Sequence, residues 1–137
     1  MIELHGWFAI REAFREEDES DEALSSAISQ IEQAISKLSD FNLAAQLLVQ
    51  NGCYSLLING NFNHRDGRWT EVTELVRLVS KIAPGSFGIL HFHDDEDNDG
   101  RDNQFQALVL KKGRIQTVIE ENLSPVFCEL EDLSTSS

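Results

Sequence analysis

Hydrophobic and polar positions alternate at the beginning of the chain. In residues 2–10 the apolar side chains fall on one side of an extended segment, and polar or aromatic ones fall on the other. The apolar side carries Ile2, Leu4, Phe8 and Ile10, and the opposite side carries His5 and Trp7. This alternation predicts a half-buried β-strand.

Two later segments carry apolar residues at helical spacing. The first follows Ser20, whose hydroxyl can cap a helix, and Asp21 and Glu22 suit the positive end of the helix dipole. Its apolar face contains Leu24, Ala27, Ile28, Ile31, Ile35 and Leu38. The second helix runs from about Thr70, with Val72, Leu75, Val76 and Val79 on one face, and Ala83-Pro84-Gly85 ends it.

Glycine-containing turns between apolar segments predict two hairpins. Asn51-Gly52 separates the first pair, and both residue types favour the positive φ that a two-residue turn requires. Gly113 separates the second pair in the same way. The paired segments are residues 43–50 with 53–60, and residues 104–112 with 114–121.

A further strand at residues 86–93 completes the order β-α-β-β-α-β-β-β. This order predicts an α+β fold in which a mostly antiparallel sheet of about six strands carries two helices on one face. The length suits a single domain over residues 1–137. The opposite face of the sheet would carry His5, Trp7, Gln46, Ser55, His91, His93 and Gln116. Such a polar-aromatic face is usual for a one-sided sheet, and it can also bind a partner.

Charge is the most pronounced feature of the composition. The chain has 24 acidic and 11 basic residues, with a formal net charge of −13. This balance argues against nucleic acid or an anionic membrane as a direct ligand, because both are polyanions. It suits a basic partner, although acidic proteins also use such charge for solubility. Thirteen of the 24 acids lie in two short segments, residues 12–22 and 94–102, so we favour a charged working surface.

The sequence also indicates the cellular compartment in which the protein is found. No apolar segment approaches the roughly 20 residues that a transmembrane helix needs. The first residues lack the basic and apolar regions of a signal peptide, so we expect a cytoplasmic protein. Cys53 and Cys128 follow no metal or redox spacing and are expected to be reduced, buried thiols. The sequence does not define the oligomeric state, and we favour a monomer.

Residues 91–105, HFHDDEDNDGRDNQF, raise the question of a metal site. From Asp95 the spacing approaches a calcium loop, but Gln106 stands where the bidentate glutamate is needed and strands replace the flanking helices. His91-x-His93 followed by Asp95 resembles the start of the metallo-β-lactamase HxHxDH signature. Glu96 replaces its third histidine, and no histidine follows His93.

Catalytic motifs are missing elsewhere in the sequence. There is no G-x-S-x-G nucleophile elbow and no phosphate-binding P-loop, and neither cysteine has a histidine close in sequence. Carboxylates crowded in one solvated loop keep similar acidities, whereas acid–base catalysis needs distinct ones. We therefore expect a protein that is not an enzyme and needs no cofactor.

The remaining interpretation concerns the acidic loop, defined as residues 94–99. Five of its six residues are acids. Each pair of like charges repels by about 1 kcal/mol at 4 Å in water. Binding a basic protein would relieve this repulsion and would also accelerate the encounter.

Taken together, the motifs of the chain resemble the immunity protein 7 family of bacterial polymorphic-toxin systems. The resemblance spans almost the whole chain in order. It is carried by His5-Gly6-Trp7, Asn59-Gly60-Asn61-x-Asn63, Trp69, Gly85-Ser86-Phe87-Gly88, Asp94-Asp95-Glu96-Asp97, Asn103-x-Phe105, Leu123-Ser124-Pro125 and Glu131-Asp132.

The resemblance implies an immunity protein that neutralises a cognate toxin domain, often a nuclease, as in contact-dependent inhibition between bacteria. Such a protein acts by stoichiometric binding. The expected contacts are the acids Asp94, Asp95, Glu96, Asp97 and Asp99, the loop residues Asn61, Asn63 and His64, and the aromatic anchors Trp7 and Trp69. Phe62 is a further candidate anchor, and we give the acids more weight than the aromatic residues. The acidic stretch before the first helix, REEDESDE at residues 15–22, corresponds to no motif of the family.

Two alternatives remain open from the residues alone. One is a small metal-binding module or metalloenzyme that uses His91, His93 and the acidic loop. The other is an acidic regulatory domain that binds a partner through the same loop.

Overall fold

The computed structural model describes residues 1–38, 42–63, 67–97, 100 and 104–123. Its elements follow the order β-α-β-β-α-β-β-β, as the hydrophobic pattern predicts. They are β1 (Ile2–Ile10), α1 (Asp21–Ser36), β2 (Leu43–Gln50), β3 (Cys53–Phe62), α2 (Gly67–Ile82), β4 (Phe87–Asp94), β5 (Phe105–Lys111) and β6 (Arg114–Glu120). A short 3-10 turn at Glu16–Asp18 interrupts the acidic stretch before α1.

The strands form one antiparallel sheet in the order β2-β3-β1-β4-β5-β6. β1 lies between β3 and β4, with Ile2 opposite Phe62 on one side and opposite Asp94 on the other. The first strand of the chain is therefore central, and its two ends lie beside segments that are distant in sequence. The α+β fold predicted from the sequence is confirmed.

Both predicted hairpins are present, and each is closed by two residues with positive φ. Asn51 and Gly52 have φ of 52° and 74°, and Lys112 and Gly113 have 52° and 73°. These values are those of a two-residue turn whose twist matches that of the strands it joins. Asn51-Gly52 and Gly113 therefore lie in hairpin turns, as the sequence predicts.

The helices begin and end close to the predicted positions, with one correction. Ser20 caps α1 as expected, because its side-chain oxygen accepts a hydrogen bond from the Ala23 N–H at 3.3 Å. α2 begins at Gly67 and not at about Thr70. Arg68 lies over the ring of Phe62, with 4.6 Å from Cζ to the centroid, and Trp69 packs against Phe92. These contacts with the sheet favour the additional first turn.

The core lies between the two helices and one face of the sheet. It includes the four apolar residues predicted for β1, all at most 5% exposed. The helices contribute Ala27, Ile28, Ile31, Val72, Leu75, Val76 and Val79. Burying side chains of this size stabilises the fold by roughly 1.5–3 kcal/mol each. We call the face of the sheet away from the helices the open face.

The open face carries the seven residues that the alternation assigned to it. The strand registers place His5, His91 and His93 there together with Trp7, Gln46, Ser55 and Gln116. The sheet ends at β6, where Ile115, Val118 and Ile119 are each 37% exposed. Beyond it, the segment LSPVFCELED lies outside the described residues after Leu123.

Candidate partner-binding surface

Strand register gathers several of the predicted contact residues at one end of the sheet. Glu3 lies opposite Asn61 of β3 on one side and opposite His93 of β4 on the other. The acidic loop begins at the end of β4, beside the first residues of β1. The described residues of the loop, 94–97, therefore lie at the same end of the sheet as Glu3 and Asn61, and we call this region the acidic end.

Asp94 has a structural position at the start of the acidic loop. It is 5% exposed, and its Oδ1 accepts a hydrogen bond from the Glu96 N–H at 2.9 Å. The Asp97 N–H donates to the Asp94 carbonyl oxygen at 3.3 Å, which closes a turn. Asp94 thus holds the conformation of the loop, and its carboxylate is not part of the exposed surface.

Asp95 is tied to the beginning of the chain. The terminal amine of Met1 donates to Asp95 Oδ1 at 2.7 Å, and the Asp95 N–H donates to the Met1 carbonyl oxygen at 3.1 Å. The hydrogen bond from the amine lowers the pKa of the Asp95 carboxyl, and the same contact raises the pKa of the amine. The loop is anchored to β1 by both its backbone and its side chain.

Asp97 makes a further contact across the loop. Its Oδ2 accepts a hydrogen bond from Gln106 Nε2 of β5 at 3.2 Å. The described part of the loop is therefore held at three points before any partner is present. Asp99 and His64 lie outside the described residues.

The aromatic candidates occupy different surfaces. Trp69 is half-buried on the helix side, with its ring centroid 4.8 Å from that of Phe92. Phe62 is 2% exposed and belongs to the core, so it cannot contact a partner as an exposed anchor. Trp7 lies on the open face and is 48% exposed. Asn61 and Asn63 are exposed at the end of β3.

Sequence reasoning did not identify a groove on the open face next to Trp7. It has a volume of about 500 Å³ and lies between β1, β4 and β5. The apolar lining includes Trp7, Phe14, Phe87, Ile89 and Val109, and the basic residues at its margin are Arg11, Lys111 and Lys112. We call this feature the open-face groove. The sequence shows basic residues at the end of β1 and at the end of β5. That these residues lie close together depends on the order of the strands in the sheet, which the sequence pattern does not give.

The groove is shaped by the close approach of two chain segments. A Cβ on Gly85 would overlap the carbonyl group of Ala13, so only glycine allows the chain after β1 to pass this turn. Ser86, 1% exposed, accepts a hydrogen bond from the Arg11 N–H at 3.0 Å. The ring of Phe87 then meets Trp7 edge-on, with centroids 6.2 Å apart. The Gly85-Ser86-Phe87-Gly88 motif thus positions one side of the groove.

Histidines form a second polar group on the open face. His5 and His91 are opposite each other on neighbouring strands. Their Nε2 atoms lie 3.7 Å from Glu3 Oε2 and 3.8 Å from Glu120 Oε2, respectively. His93 is buried, with its ring centroid 5.9 Å from that of Phe105. Among the described residues, no three His, Cys, Asp or Glu side chains converge in an arrangement that could hold a metal ion.

The second acidic segment lies at the other end of the sheet. It follows the last residue of β1, and Glu12 Oε2 accepts a hydrogen bond from the Ser20 N–H at 3.0 Å. Glu16, Glu17, Asp18 and Glu19 are exposed around the 3-10 turn. The two acidic segments therefore lie at opposite ends of β1, with the open face between them.

The two cysteines and the predicted absence of a transmembrane helix remain to be compared with the structure. Cys53 is exposed and not buried, because it begins β3 directly after the hairpin turn at Gly52. Cys128 lies outside the described residues. No helix within the described ranges is both long and apolar enough to cross a bilayer.

Comparison with known proteins gives a clear family assignment. A family model described as Immunity protein 7 matches residues 1–132 of the 137-residue chain. No curated protein and no solved structure is significantly similar to the chain. The match spans the six strands and two α-helices of the described residues. The chain is therefore a member of the immunity protein 7 family, and this membership supports a role as an immunity protein for a toxin.

Proposed function

We propose that this immunity protein binds a basic toxin domain, such as a nuclease, one to one and neutralises it by covering its substrate-binding cleft. Family membership over residues 1–132 carries the proposal, because it supports a toxin as the partner. The acidic end supports the finer assignment to a basic toxin. The protein acts in the cytoplasm, as a monomer, with no turnover and no cofactor.

The physical basis is competition with a polyanion. A nuclease holds its substrate with lysine and arginine, which also attract carboxylates over long range. The acidic loop and Glu3 present carboxylates at one end of the sheet, within a chain of net charge −13. Such a protein is captured quickly by the cleft and excludes the substrate from it.

The conformation of the acidic loop favours this role. Hydrogen bonds of Asp94, Asp95 and Asp97 hold its first residues in place. A loop that is already ordered loses less conformational entropy on binding than a loose one. Asp94 contributes by holding the turn, and Glu96 is exposed next to it. Asp99, Asn61, Asn63 and His64 extend the proposed contact, with Trp69 and Trp7 as candidate anchors.

Co-expression with the toxin encoded beside this protein tests the proposed function. We expect growth to be rescued and a 1:1 complex to be purified with the toxin domain. The purified complex should show no toxin activity on its substrate, whereas the toxin alone remains active. Unchanged toxicity with every neighbouring effector would contradict the proposal.

A further inference from the structure

We propose that the open-face groove is a second contact site for the toxin, and that it accepts an apolar side chain of the toxin that is flanked by carboxylates. This inference rests on the proposed function and adds to it. It assigns to one partner two regions of opposite charge, a basic one for the acidic end and an acidic, apolar one for the groove.

The lining of the groove supplies the apolar part of the argument. Trp7, Phe14 and Phe87 are 48%, 61% and 39% exposed. The outer face of a one-sided antiparallel sheet is ordinarily polar. Contiguous exposed aromatic side chains at a concave site are typical of protein-binding surfaces, where they act as anchors or as walls for an inserted side chain.

The margin of the groove determines the charge of its occupant. Arg11, Lys111 and Lys112 are three of the 11 lysines and arginines in a chain of net charge −13. No carboxylate of the described residues lies within ion-pair distance of any of the three. The guanidinium of Arg11 lies 5.6 Å from the centroid of the Phe87 ring, directly beside the apolar lining. An occupant with carboxylates next to its apolar side chain matches this arrangement.

The spacing of the two regions allows one partner to reach both. From Glu3 at the acidic end to Ala9 beside Phe87 is six residues of β1, or about 20 Å at roughly 3.3 Å per residue. A standard interface covers about 800 Å² on each partner, which is a patch roughly 30 Å across. The groove and the acidic end therefore fit within a single interface on the open side of the sheet.

The first test uses peptides and does not depend on the identity of the toxin. In a Trp69→Phe background, Trp7 is the only tryptophan of the chain and reports on the groove by fluorescence. The probe is a capped hexapeptide, Glu-Glu-Phe-Leu-Glu-Glu. Two matched peptides replace its glutamates with lysine or its Phe-Leu with Ser-Ala.

We expect the glutamate-flanked peptide to produce a saturable change in Trp7 emission, with a dissociation constant on the order of 1 mM or lower. The matched peptides should bind more weakly. Absence of a saturable change, or a preference for the lysine-flanked peptide, would overturn the proposal. Emission that depends on protein concentration before peptide is added would instead assign the groove to a second copy of the chain, which also overturns it.

The second test uses the toxin complex. Trp7→Ala should weaken the complex by about 30-fold or more, since truncation of a central aromatic anchor has effects of this size. The matched control is Val49→Ala, which removes an apolar side chain that is 57% exposed on β2. Lys111→Glu should weaken the complex by about tenfold, whereas Lys81→Glu on α2 should not.

The two tests separate this inference from the proposed function. If the wild-type protein neutralises the toxin and Trp7→Ala binds equally well, the groove assignment is wrong and the proposed function stands. If no toxin complex forms, the proposed function fails, and with it the assignment of the groove to a toxin. In that case the peptides still show whether the groove binds an acidic, apolar segment.

Discussion

Ser86 joins the end of β1 to the beginning of β4 through both backbone groups of Arg11. Its Oγ accepts a hydrogen bond from the Arg11 N–H at 3.0 Å, and its hydroxyl can donate to the Arg11 carbonyl oxygen at 3.4 Å. Ser86 is 1% exposed, and both hydrogen bonds are part-buried. One hydroxyl thus provides a hydrogen-bond partner for both backbone groups of Arg11, at the point where β1 ends and the open-face groove begins.

Replacement of Ser86 by alanine should therefore destabilise the protein. It leaves the Arg11 N–H without its partner in a part-buried position, which costs about 1–3 kcal/mol of the free energy of unfolding. Urea denaturation followed by circular dichroism measures the change. Ser80→Ala is the matched control, because the Ser80 hydroxyl donates to the Arg77 carbonyl oxygen in an exposed hydrogen bond on α2. Equal effects of the two substitutions would contradict the role assigned to Ser86.

Gly85 and Gly67 offer a second matched pair. A Cβ at position 85 overlaps the backbone of Ala13, whereas a Cβ at position 67 meets nothing within 4 Å. We expect Gly85→Ala to lower the free energy of unfolding by about 1–3 kcal/mol, as overpacking does. Gly67→Ala, at the start of α2, should change it by no more than about 1 kcal/mol and in the stabilising direction. Thermal unfolding of both variants checks the prediction. A Gly85→Ala protein with the same free energy of unfolding as the wild type would contradict it.

The carboxyl group of Glu120 gives a prediction for pH. The backbone N–H of Asn122 donates to Glu120 Oε1 at 2.6 Å and lowers the pKa of Glu120 below its ordinary 4.5, with smaller contributions from the Asn122 side chain and His91. Because the folded-state pKa lies below the unfolded one, the carboxylate stabilises the fold above about pH 4.5. This contribution is lost as the pH falls through the folded-state pKa.

Carboxyl titration by NMR measures this directly. Asn122→Ala removes the side-chain contribution and keeps the backbone N–H, so the pKa of Glu120 should rise only part of the way towards 4.5. His91→Asn should raise it by less. A wild-type pKa at or above 4.5, or a larger effect of the His91 substitution, would contradict this ranking of the causes.

Neutralising the acidic loop should slow association with a basic toxin. The variant carries D95N, E96Q, D97N and D99N. At low salt we expect an association rate constant about tenfold lower or more, and a flatter dependence on ionic strength, because long-range attraction is reduced. Stopped-flow fluorescence at several salt concentrations measures both quantities.

The acidic stretch at the opposite end of the sheet supplies the control. The substitutions E16Q, E17Q, D18N and E19Q change the net charge by the same amount at a distant position. If they slow association equally, net charge and not the acidic loop controls the encounter. An unchanged rate for the loop variant would remove the loop from the contact surface.

Local features of the sequence are sufficient for much of the fold. Ser20 caps α1, and Asn51-Gly52 closes a hairpin, because each acts on its immediate neighbours. The alternation of β1 assigns Trp7 and Phe8 to opposite faces without any knowledge of the other strands. The hydrophobic pattern predicts the start of α2 about three residues too late, because that start depends on contacts of Arg68 and Trp69 with distant strands.

The candidate site is harder to predict from short segments of the sequence, because it is built from segments that are distant in the chain. In the sequence, Asp94 is one acid among five, and only its place at the end of a strand beside Ile2 makes it a buried support for the loop. The open-face groove joins Arg11, Phe87 and Lys111 from three strands or strand ends. Their proximity follows from the central position of β1, which no short segment of the sequence specifies.

β6, one of the two outermost strands among the described residues, exposes isoleucine and valine on both of its faces. Such a strand can act as a template for stacking with other copies of the same protein. Mutual repulsion between molecules of net charge −13 opposes that stacking in dilute buffer. Concentrated salt shortens the reach of this repulsion, so we expect high ionic strength to weaken the protection of β6 against self-association.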